Sequence, residues 1–311
     1  MKIGFIGSSE VSRFHIDALR NNEFDIKAIG TRIKSSNCKD FAKSLNLFEK
    51  FCIGGWQEVL TKEVDAFCLC IDTLETPKIL KEILELGKPV LVEKPISLYK
   101  EDFEYLINHP MKDKIFVAYN RRFYKTINIV KSKCDNSTKG GTVIVNIPDS
   151  ISGYKNFLSN GCHMIDSLRY ILGDFEIVQK IINFEKDNLD FYAISALCKN
   201  KKWSILLNAH SKIPYNFSIT VNNEDLVYEL KPLEKLTIYK GIKVVEPTPE
   251  KPIISYVPII KECLIESADL KPGFDRMYIN FAKFIKNQKT DMCDINDAAK
   301  TIKLCWDLIG K

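Results

Sequence analysis

The stretch KIGFIGSSEVSRFHIDAL, residues 2–19, decides the fold of this chain. Its apolar, β-branched start over residues 2–7 predicts a short strand, and the small residues Ser8 and Ser9 predict a tight turn. The apolar residues that follow recur at helical spacing, which predicts a helix. A strand, a tight turn and a helix in this order form the first unit of a doubly wound α/β sheet.

The alternation of strands and helices continues along the N-terminal part of the chain. The further strand-like runs are DIKAIGT (25–31), VDAFCLCI (64–71), PVLVEK (89–94) and KIFVAYN (114–120). Helices are predicted between them at 39–47 and 76–87. Because the runs are apolar throughout, both faces of their sheet must be covered, as in a parallel sheet. We therefore predict a Rossmann domain with a doubly wound parallel sheet over residues 1–120.

Residues 121–311 follow a different pattern. Helices are predicted near 123–132 and 161–172, and a turn is predicted at Gly140-Gly141. Strand-like runs then follow one another from residue 175 to 246, separated by turn residues such as Asn222, Asn223 and Gly241. Successive strands without intervening helices indicate an antiparallel or mixed sheet. The sequence therefore predicts a C-terminal α+β domain with a mostly antiparallel open sheet, which would hold the substrate.

The end of this second domain is predicted to be a loop followed by helices. The Pro-rich stretch Pro247–Pro258 is expected to be the loop, and amphipathic helices are predicted near 275–288 and 295–309. Helices on one side of an open sheet leave its other face to be covered, and apolar strands such as WSILLNA (203–209) would supply that face. We therefore expect a homodimer or homotetramer formed through this sheet.

The composition is that of a globular chain with no unusual partner. The chain has 311 residues, of which 45% are hydrophobic, and its net charge is only +5. Because no basic block exceeds a few residues, no nucleic-acid partner is expected. No stretch reaches the roughly 20 apolar residues that span a bilayer, and the start turns polar too soon for a signal peptide. We expect no membrane partner and a cytoplasmic location.

The cysteines and histidines do not indicate a disulfide framework or a metal site. The ten cysteines contain no C-x-x-C spacing, and Cys162, Cys198, Cys263 and Cys305 lie in apolar sequence surroundings. They are expected to be reduced, buried thiols that pack as small apolar residues. The four histidines are not grouped with cysteines or carboxylates, so no metal is expected. His15 and His210 are interpreted as structural.

The turn after the first strand is the expected binding site for a dinucleotide pyrophosphate. A helix N-terminus offers free N–H groups and a favourable dipole to an anion, and the pattern G-x-G-x-x-G lets the phosphate approach. Gly7 keeps the first glycine position, whereas Ser9 and Ser12 occupy the other two. Ser8 and Ser9 can admit and donate to a phosphate, but a serine here is equally consistent with a helix N-cap. Both interpretations stay open on the sequence.

The end of the second predicted strand indicates which cofactor is preferred. An acidic residue there would normally bind the adenosine ribose, but this chain has Thr31 and Arg32. Without the carboxylate, repulsion of a 2′-phosphate disappears, and Arg32 can form a charge-assisted hydrogen bond with it. The cofactor is therefore expected to be NAD or NADP, with NADP slightly favoured. In the alternative, Arg32 stacks on the adenine.

At Glu93-Lys94-Pro95, directly after PVLV, the sequence resembles the glucose–fructose oxidoreductase, inositol dehydrogenase and rhizopine catabolism protein family (Gfo/Idh/MocA). The resemblance runs from end to end, and its most specific part is EKP after GK and an apolar strand. The other shared segments are KIGFIG, the unit GWQEVL–VDAFCLCI, AYNRRF and NGCHMIDSLRYILG. The resemblance implies a nicotinamide-dependent dehydrogenase that transfers hydride to or from a sugar, cyclitol or nucleotide sugar.

The resemblance also implies the catalytic residues. Lys94 would hydrogen-bond the reacting hydroxyl and stabilise the charge that develops on it. The family's proton-transfer histidine lies in a segment like D-x-G-x-H, which aligns with SNGCH (159–163) and so with His163. Ser159 stands in place of the family's aspartate, which weakens any carboxylate–histidine relay. Asn160 is expected to bind substrate hydroxyls.

The remaining site residues are expected at the carboxyl ends of the predicted strands. Further cofactor contacts are expected from Val11, Ile71, Asp72, Glu93 and Lys94. Tyr119 and Arg122, at the end of the fifth predicted strand, are expected to contact substrate. Asp166 and Arg169, three residues apart, are interpreted as an intrahelical pair.

Two other functions compete with the dehydrogenase. A sensor or regulator could keep the fold and bind ligand without turnover, which the serines in the phosphate turn and Ser159 favour. Hydrolysis or elimination with NAD as a transient oxidant also occurs on folds of this kind. Fold alone does not choose among these activities.

Overall fold

The computed structural model describes residues 1–146, 157–185, 188–198, 201–208, 217–266 and 271–310. The chain divides into two compact units. The first unit is Met1–Phe123 together with Ala268–Asp307, and the second is Tyr124–Ser267 together with Leu308–Lys311. The closing helices are predicted to belong to the second domain, whereas most of their residues belong to the first unit.

The first unit is built on a six-stranded sheet in the order β14-β5-β4-β3-β1-β2. Its strands are β1 (Lys2–Gly7), β2 (Asp25–Gly30), β3 (Ala66–Cys70), β4 (Val90–Val92), β5 (Ile115–Val117) and β14 (Cys293–Asp294). Strands β1 to β5 are parallel, and only β14 runs antiparallel, beside β5. The predicted Rossmann sheet is therefore confirmed.

Helices connect these strands and cover the sheet. Those of the first unit are α1 (Glu10–Asn21), α2 (Ser36–Ser44), α3 (Trp56–Leu60), α4 (Thr76–Glu85), α5 (Lys100–Ile107), α8 (Phe274–Ile285) and α9 (Ile295–Ile309). All five residues of β3 are buried, as its continuous apolar sequence requires. The short helices α3 and α5 are not among the helices predicted from the sequence.

The assignment of α8 and α9 differs from the predicted domain boundary for a physical reason. Helix α8 packs against α1, and its buried residues Phe274, Met277, Tyr278 and Phe281 belong to the core of the first sheet. The strand β14 between α8 and α9 pairs with β5 at the edge of that sheet. These interactions join residues far apart in sequence, so the local pattern does not indicate them.

The second unit is built on an eight-stranded sheet in the order β13-β12-β11-β10-β6-β9-β8-β7. Its strands are β6 (Thr138–Asn146), β7 (Glu176–Glu185), β8 (Asn188–Cys198), β9 (Lys201–Asn208), β10 (Phe217–Asn223), β11 (Val227–Leu230), β12 (Lys235–Val245) and β13 (Ser255–Ile265). Only the pair β6–β9 is parallel. Helices α6 (Lys125–Lys133) and α7 (Cys162–Leu172) pack against each other. The predicted mostly antiparallel sheet is confirmed.

The turn predicted at Gly140-Gly141 is wrong, because both residues lie inside β6. A Cβ added to Gly140 would lie 2.1 Å from the Lys202 carbonyl oxygen, and one added to Gly141 would lie 1.9 Å from that of Thr220. The backbones of β9 and β10 therefore approach β6 so closely that only glycine fits. Glycine in a strand can mark such an approach as well as a turn.

The loop predicted over Pro247–Pro258 is also partly wrong. Residues 255–258 begin β13, which pairs with β12 at the edge of the sheet. An edge strand tolerates Pro258 because one side of its backbone has no ladder partner. The predicted break at Gly241 is an irregularity inside β12, where Gly241 has φ +71° and the register shifts between Tyr239 and Ile242.

The predicted cysteines lie partly in the core and partly at the surface of the described residues. Cys162 and Cys305 are buried as expected, but Cys263 is exposed on the edge strand β13. The side chain of Cys198 and all of His210 lie outside the described residues. Among the residues described, no His, Cys, Asp and Glu cluster could hold a metal ion, and no helix is long and apolar enough to cross a membrane.

Candidate active site

The strand order of the first sheet creates the place where a ligand can bind. From β1 the chain moves to β2 on one side and then to β3 on the other side. At such a reversal the connections after the strands diverge, which leaves a crevice outside the carboxyl ends. Gly7 of β1, Cys70 of β3 and Val92 of β4 end neighbouring strands at this edge.

Gly7 allows β1 and β3 to lie close together at the start of the crevice. A Cβ added to Gly7 would lie 2.3 Å from the Cys70 carbonyl oxygen, so no side chain fits there. The turn then begins helix α1 at Glu10, with Ser9 as the N-cap residue. The Ser9 N–H donates to the Ser12 hydroxyl at 3.1 Å, and this hydroxyl donates to the buried Cys70 thiol at 3.3 Å.

This turn fits a dinucleotide pyrophosphate. Ser8 is half-buried and Ser9 and Glu10 are exposed, so the turn lies at the surface and carries small side chains at positions 7–9. Ser12, at the third glycine position, is fully buried, and its hydroxyl links the Ser9 N–H of the turn to the Cys70 thiol. The cap interactions engage the N–H groups of Ser9 and Ser12, which are two of the four that a helix N-terminus leaves without intrahelical partners. The N-cap position of Ser9 is therefore compatible with a phosphate-binding role for the first turn. Val11 is half-buried in the first turn of α1.

The residues after β2 are held at the same edge of the sheet. The Trp56 N–H donates to the Thr31 carbonyl at 2.7 Å, and Gly55 has φ +75° where it passes residues 31–33. Thr31 is half-buried and Arg32 is exposed. The loop thus presents a guanidinium where a carboxylate would otherwise bind the ribose.

The residues after β3 form a short turn that leads into α4. Ile71 is half-buried and Asp72 is exposed. The Asp72 carboxylate accepts a hydrogen bond from the Leu74 N–H at 2.8 Å, and its carbonyl accepts from the Thr76 hydroxyl at 3.0 Å. These bonds stabilise the turn, and the expected contact of Asp72 with the cofactor stays a prediction.

Glu93 and Lys94 follow β4, and the Glu93 carboxylate contacts the buried ring of His15. The His15 Nε2 atom lies 2.8 Å from Glu93 Oε1, and the Lys94 N–H donates to Glu93 Oε2 at 3.0 Å. The His15 ring is 1% exposed and the Glu93 side chain 13% exposed, so the pair is shielded from water. Lys94 itself is half-buried at the carboxyl end of β4.

The other side of His15 contacts a second pair of polar groups. Its Nδ1 lies 2.8 Å from the Tyr278 hydroxyl, which lies 3.1 Å from the Cys68 thiol. Burial alone would lower the pKa of His15, but Tyr278 and Cys68 outweigh burial and raise this pKa well above its ordinary value. Burial would likewise raise the pKa of Glu93, but the hydrogen bond from His15 keeps this pKa below its ordinary value. His15 and Glu93 therefore form a charged pair.

This pair predicts a pH-dependent stability. A raised histidine pKa stabilises the fold below the ordinary value of about 6.5 and loses this effect as the pH rises through the folded value. A lowered glutamate pKa stabilises above about 4.3 and loses its effect as the pH falls through the folded value. The free-energy difference between the wild type and His15→Leu should therefore be largest between these two values, at about 3 kcal/mol. Urea unfolding across pH 4 to 9 measures it, and a flat difference would contradict the charged pair.

Tyr119 and Arg122 lie where the sequence predicts them, after β5, but both are buried in the first unit. The Arg122 guanidinium forms an ion pair with Asp297 at 2.6 Å and lies over the Tyr119 ring at 5.8 Å from its centroid. Their exposed fractions are only 5% and 1%. These contacts are sufficient to explain both residues as part of the packing around α9, and a contact with substrate stays a prediction.

His163 lies in the first turn of α7, in the second unit. Residues Phe157–Gly161 form a π-helical turn that leads directly into this helix. His163 and Ser159 are half-buried, and Asn160 is exposed. The His163 carbonyl accepts a hydrogen bond from the Ser167 hydroxyl at 2.7 Å, which fixes the start of the helix.

Arg169 forms an ion pair that the sequence does not predict, and its pairing with Asp166 stays a prediction. Arg169 donates to the Asp174 carboxylate at 2.6 and 3.0 Å, beyond the end of the helix at Leu172. Gly173, with φ +95°, turns the chain back and brings Asp174 within reach of the guanidinium. Asp166 is buried in the same helix, at 1% exposure.

His15 and Tyr278 are functional candidates that the sequence does not reveal. His15 is interpreted from the sequence as structural, and Tyr278 is not singled out. The signal for His15 is its place on the buried face of α1, between Ser12 and Ile16. A polar side chain on such a face needs a buried partner, and that partner is Glu93.

Comparisons with known proteins agree with this geometry. Residues 1–120 match the family model "Oxidoreductase family, NAD-binding Rossmann fold" of the Gfo/Idh/MocA proteins. The chain is 25% identical over 187 residues to a myo-inositol 2-dehydrogenase from Thermotoga maritima, a match that covers 56% of this chain and 55% of the relative. An inositol 2-dehydrogenase/D-chiro-inositol 3-dehydrogenase from Lacticaseibacillus casei is 24% identical over 186 residues, covering 56% of this chain and 54% of the relative. The chain thus matches about half the length of these curated relatives.

Solved structures share the complete fold. A dehydrogenase from Clostridium difficile superposes with a TM-score of 0.78 at 18% identity, over 100% of this chain and 99% of the other. An oxidoreductase from Agrobacterium radiobacter, solved in complex with NAD+, L-tartaric acid and magnesium, superposes with a TM-score of 0.77 at 13% identity, over 100% and 96%. At these identities the likeness establishes the fold. Residues 1–120 are thus similar to the NAD-binding Rossmann domain of the Gfo/Idh/MocA oxidoreductases.

Proposed function

We propose that this protein is an NAD(P)-dependent dehydrogenase that interconverts a carbinol and a carbonyl group on a sugar, a cyclitol or a nucleotide sugar. The observation that carries the proposal is the placement of Lys94 at the carboxyl end of β4, beside the phosphate-binding edge of β1 and β3, with Glu93 fixed behind it by His15. A half-buried ammonium at this edge is suited to act on a hydroxyl.

The protein residues in this proposal handle the proton. Oxidation removes a hydride from the carbinol carbon and a proton from its oxygen, and reduction returns both. A nicotinamide cofactor held at the turn after β1 would supply the hydride acceptor or donor. Lys94 hydrogen-bonds the reacting oxygen and stabilises its developing charge, and His163 takes up or returns the proton. Asn160, which is exposed at the turn before α7, binds a neighbouring hydroxyl of the substrate.

The names of the relatives support a polyhydroxylated substrate. Two curated relatives are named inositol dehydrogenases, and a neighbouring structure is named UDP-N-acetylglucosamine 3-dehydrogenase, with a TM-score of 0.76 at 15% identity. Both kinds of substrate carry a ring with several secondary hydroxyls. A thermal-shift screen of NAD, NADP, cyclitols, sugars and nucleotide sugars, followed by cofactor turnover with each hit, tests the proposal. Bound ligands with no turnover would instead support a sensor.

Arg32 is proposed to favour NADP, which gives a prediction for the cofactor. The wild type should bind NADP at least as well as NAD, because the exposed guanidinium replaces a carboxylate. Arg32→Ala should weaken NADP binding by about ten- to a hundredfold, the loss of one charge-assisted hydrogen bond of about 1.5–3 kcal/mol, and leave NAD binding nearly unchanged. Titration of both cofactors measures this, with Arg13→Ala on α1 as control. A clear preference for NAD that Arg32→Ala does not alter would remove this role.

The assembly is proposed to be a homodimer or homotetramer. Trp203 and Ile205 of β9 are buried within the unit, so the strand predicted as an interface presents Ser204 and Leu206 instead. A more apolar surface lies on the outer part of β12 and β13, beyond the end of β11. There the following side chains are 44–67% exposed: Ile242, Val244, Tyr256, Val257, Ile259 and Ile260.

This surface predicts a measurable oligomer, because a two-stranded ribbon that is apolar on both faces is marginal in water without cover. Light scattering at micromolar concentration should show at least a dimer. Ile260→Lys should shift the oligomeric equilibrium towards the monomer. Leu86→Lys, at an exposed site of the first unit, should leave this equilibrium unchanged. A wild-type monomer would defeat this proposal.

A further inference from the structure

A chain of buried polar groups runs through the core of the first unit and ends at the backbone of Lys94. It begins at the Cys68 thiol of β3, continues through the Tyr278 hydroxyl of α8 and the His15 ring of α1, and reaches Glu93. The last bond is donated by the Lys94 N–H to Glu93 Oε2. Three elements of the fold, β3, α8 and α1, are therefore linked to the one carboxylate that follows β4.

Stability alone does not require this chain of polar groups, because apolar residues in place of the whole set could fill the core, although removing His15 alone is costly. Buried charged groups are costly to desolvate, and apolar side chains of similar volume fill a core at least as well. The same core is otherwise apolar, with Phe5, Phe24 and Phe281 around the tyrosine and histidine. The ring of His15 also packs edge-on against Phe274, with centroids 4.9 Å apart, so packing alone would tolerate an apolar residue.

The geometry of Glu93 shows what this chain of polar groups controls, which is the orientation of the peptide at residue 94. One carboxylate oxygen is bound by His15 at 2.8 Å and the other by the backbone N–H of Lys94 at 3.0 Å. With both oxygens engaged, the carboxylate cannot rotate, and it holds the peptide at residue 94 in one orientation. The direction in which the Lys94 side chain leaves the sheet follows from this orientation.

We propose that His15 is a positioning residue that fixes Lys94 for reaction by clamping Glu93, with Tyr278 holding the His15 ring. This inference rests on the proposed dehydrogenase function of Lys94. It assigns His15 no contact with substrate or cofactor, so its loss acts on turnover through Lys94 and leaves cofactor binding largely unchanged. Small misplacements of a catalytic group are known to cost up to about 10²-fold in rate.

The experiment compares variants that remove the hydrogen bond from residue 15 to Glu93, keep it, or change only the packing around the His15 ring. His15→Leu removes the bond to Glu93, and kcat should fall about tenfold or more while the cofactor Kd changes less than about twofold. His15→Gln offers an amide donor to Glu93 and should recover kcat to within about threefold of the wild type. Phe274→Leu disturbs packing against the same ring without touching the hydrogen bonds, and its kcat should equal that of the wild type.

A second readout does not require turnover. Hydrogen exchange of the Lys94 amide, measured in the cofactor-free protein, reports the bond to Glu93 directly. Exchange should be about tenfold faster in His15→Leu and unchanged in Phe274→Leu. Tyr278→Phe, which keeps the ring and loses only the hydroxyl, should show an intermediate rate, and it serves if His15→Leu does not fold.

The outcomes separate this inference from the proposed function. Faster exchange at Lys94 together with a lower kcat and an unchanged cofactor Kd supports it. Unchanged exchange in both His15→Leu and Tyr278→Phe, or a His15→Leu kcat equal to that of the wild type, overturns it. A wild type that turns over none of the substrates defeats the dehydrogenase, and the exchange rates then still decide whether His15 clamps Glu93.

Discussion

Lys94→Met is expected to lower kcat by about 10²-fold or more, the usual scale for a group that assists proton transfer. Methionine keeps the length and apolar stem of lysine but removes the ammonium, so the reacting oxygen loses its hydrogen-bond donor and its charge partner. The fold and the cofactor Kd should change little, because Lys94 is half-buried at the edge of the sheet rather than part of its core. Steady-state kinetics and cofactor titration of the purified variant measure these effects.

A matched control lies at the other end of the same strand. Lys88 precedes β4 and is exposed at the opposite edge of the sheet, so Lys88→Met changes the same residue type without approaching the crevice. It should keep wild-type kcat. A Lys94→Met enzyme with normal rates would defeat the proposed role of Lys94.

His163→Asn should lower kcat in the same direction as Lys94→Met. The loss is expected to be smaller, since Asn160 or water could substitute in part for the imidazole. The Ser159 hydroxyl cannot replace the family's carboxylate as a charged partner, so the pH profile of kcat should lack a separate carboxylate step. Measuring kcat of the wild type and of His163→Asn from pH 4 to 9 tests both the size of the loss and the shape of the pH profile.

The parts of the fold that the sequence predicts are those where burial produces a local pattern. The run VDAFCLCI predicts a strand covered on both faces, and β3 is buried along its whole length. The same logic predicts β1 and β2 within one residue of their ends. Helix α1 is predicted because its apolar residues recur on one face, where Ile16 and Leu19 are fully buried. In each case the environment of a residue is decided by its near neighbours in the chain.

The parts that the sequence does not predict depend on interactions between distant residues. His15 and Tyr278 are 263 residues apart, so no local pattern connects them. The packing of α8 on α1 and the pairing of β14 with β5 have the same origin. At the candidate site, Lys94 and His163 come from a family resemblance, whereas the side chains that hold Glu93 become visible only in the structure.

The prolines near β13 show a related limit. A proline-rich stretch indicates a loop because proline cannot donate to a ladder, yet this rule does not apply to the outer side of an edge strand. Whether a strand lies at an edge is a property of the completed sheet. Pro258 pairs opposite Ile242 in the outermost pair of strands, and only the sheet order reveals this.

Gly141→Ala is expected to lower the free energy of unfolding by about 3 kcal/mol or more, at the upper end of the cost of overpacking a core. The added methyl would lie 1.9 Å from the Thr220 carbonyl oxygen and 2.5 Å from the Trp203 ring, so β6 must separate from β10 or the ring must move. A carbonyl within a paired strand cannot retreat without breaking its ladder, because Gly141 pairs with both Val221 and Trp203. Urea unfolding followed by circular dichroism measures the loss.

Gly87→Ala is the control that separates crowding from backbone strain. Gly87 has φ +64° and nothing within 4 Å of an added Cβ, so alanine there meets strain without a clash and should cost about 1 kcal/mol. Gly141 has the opposite combination, a clash without a left-handed backbone. If Gly141→Ala unfolds at the same urea concentration as Gly87→Ala, the three strands are not packed as closely as the structure shows. A much larger loss in Gly141→Ala would mean that the glycines of β6 are required by the approach of its two neighbours, and that the pattern GG here encodes a crowded strand.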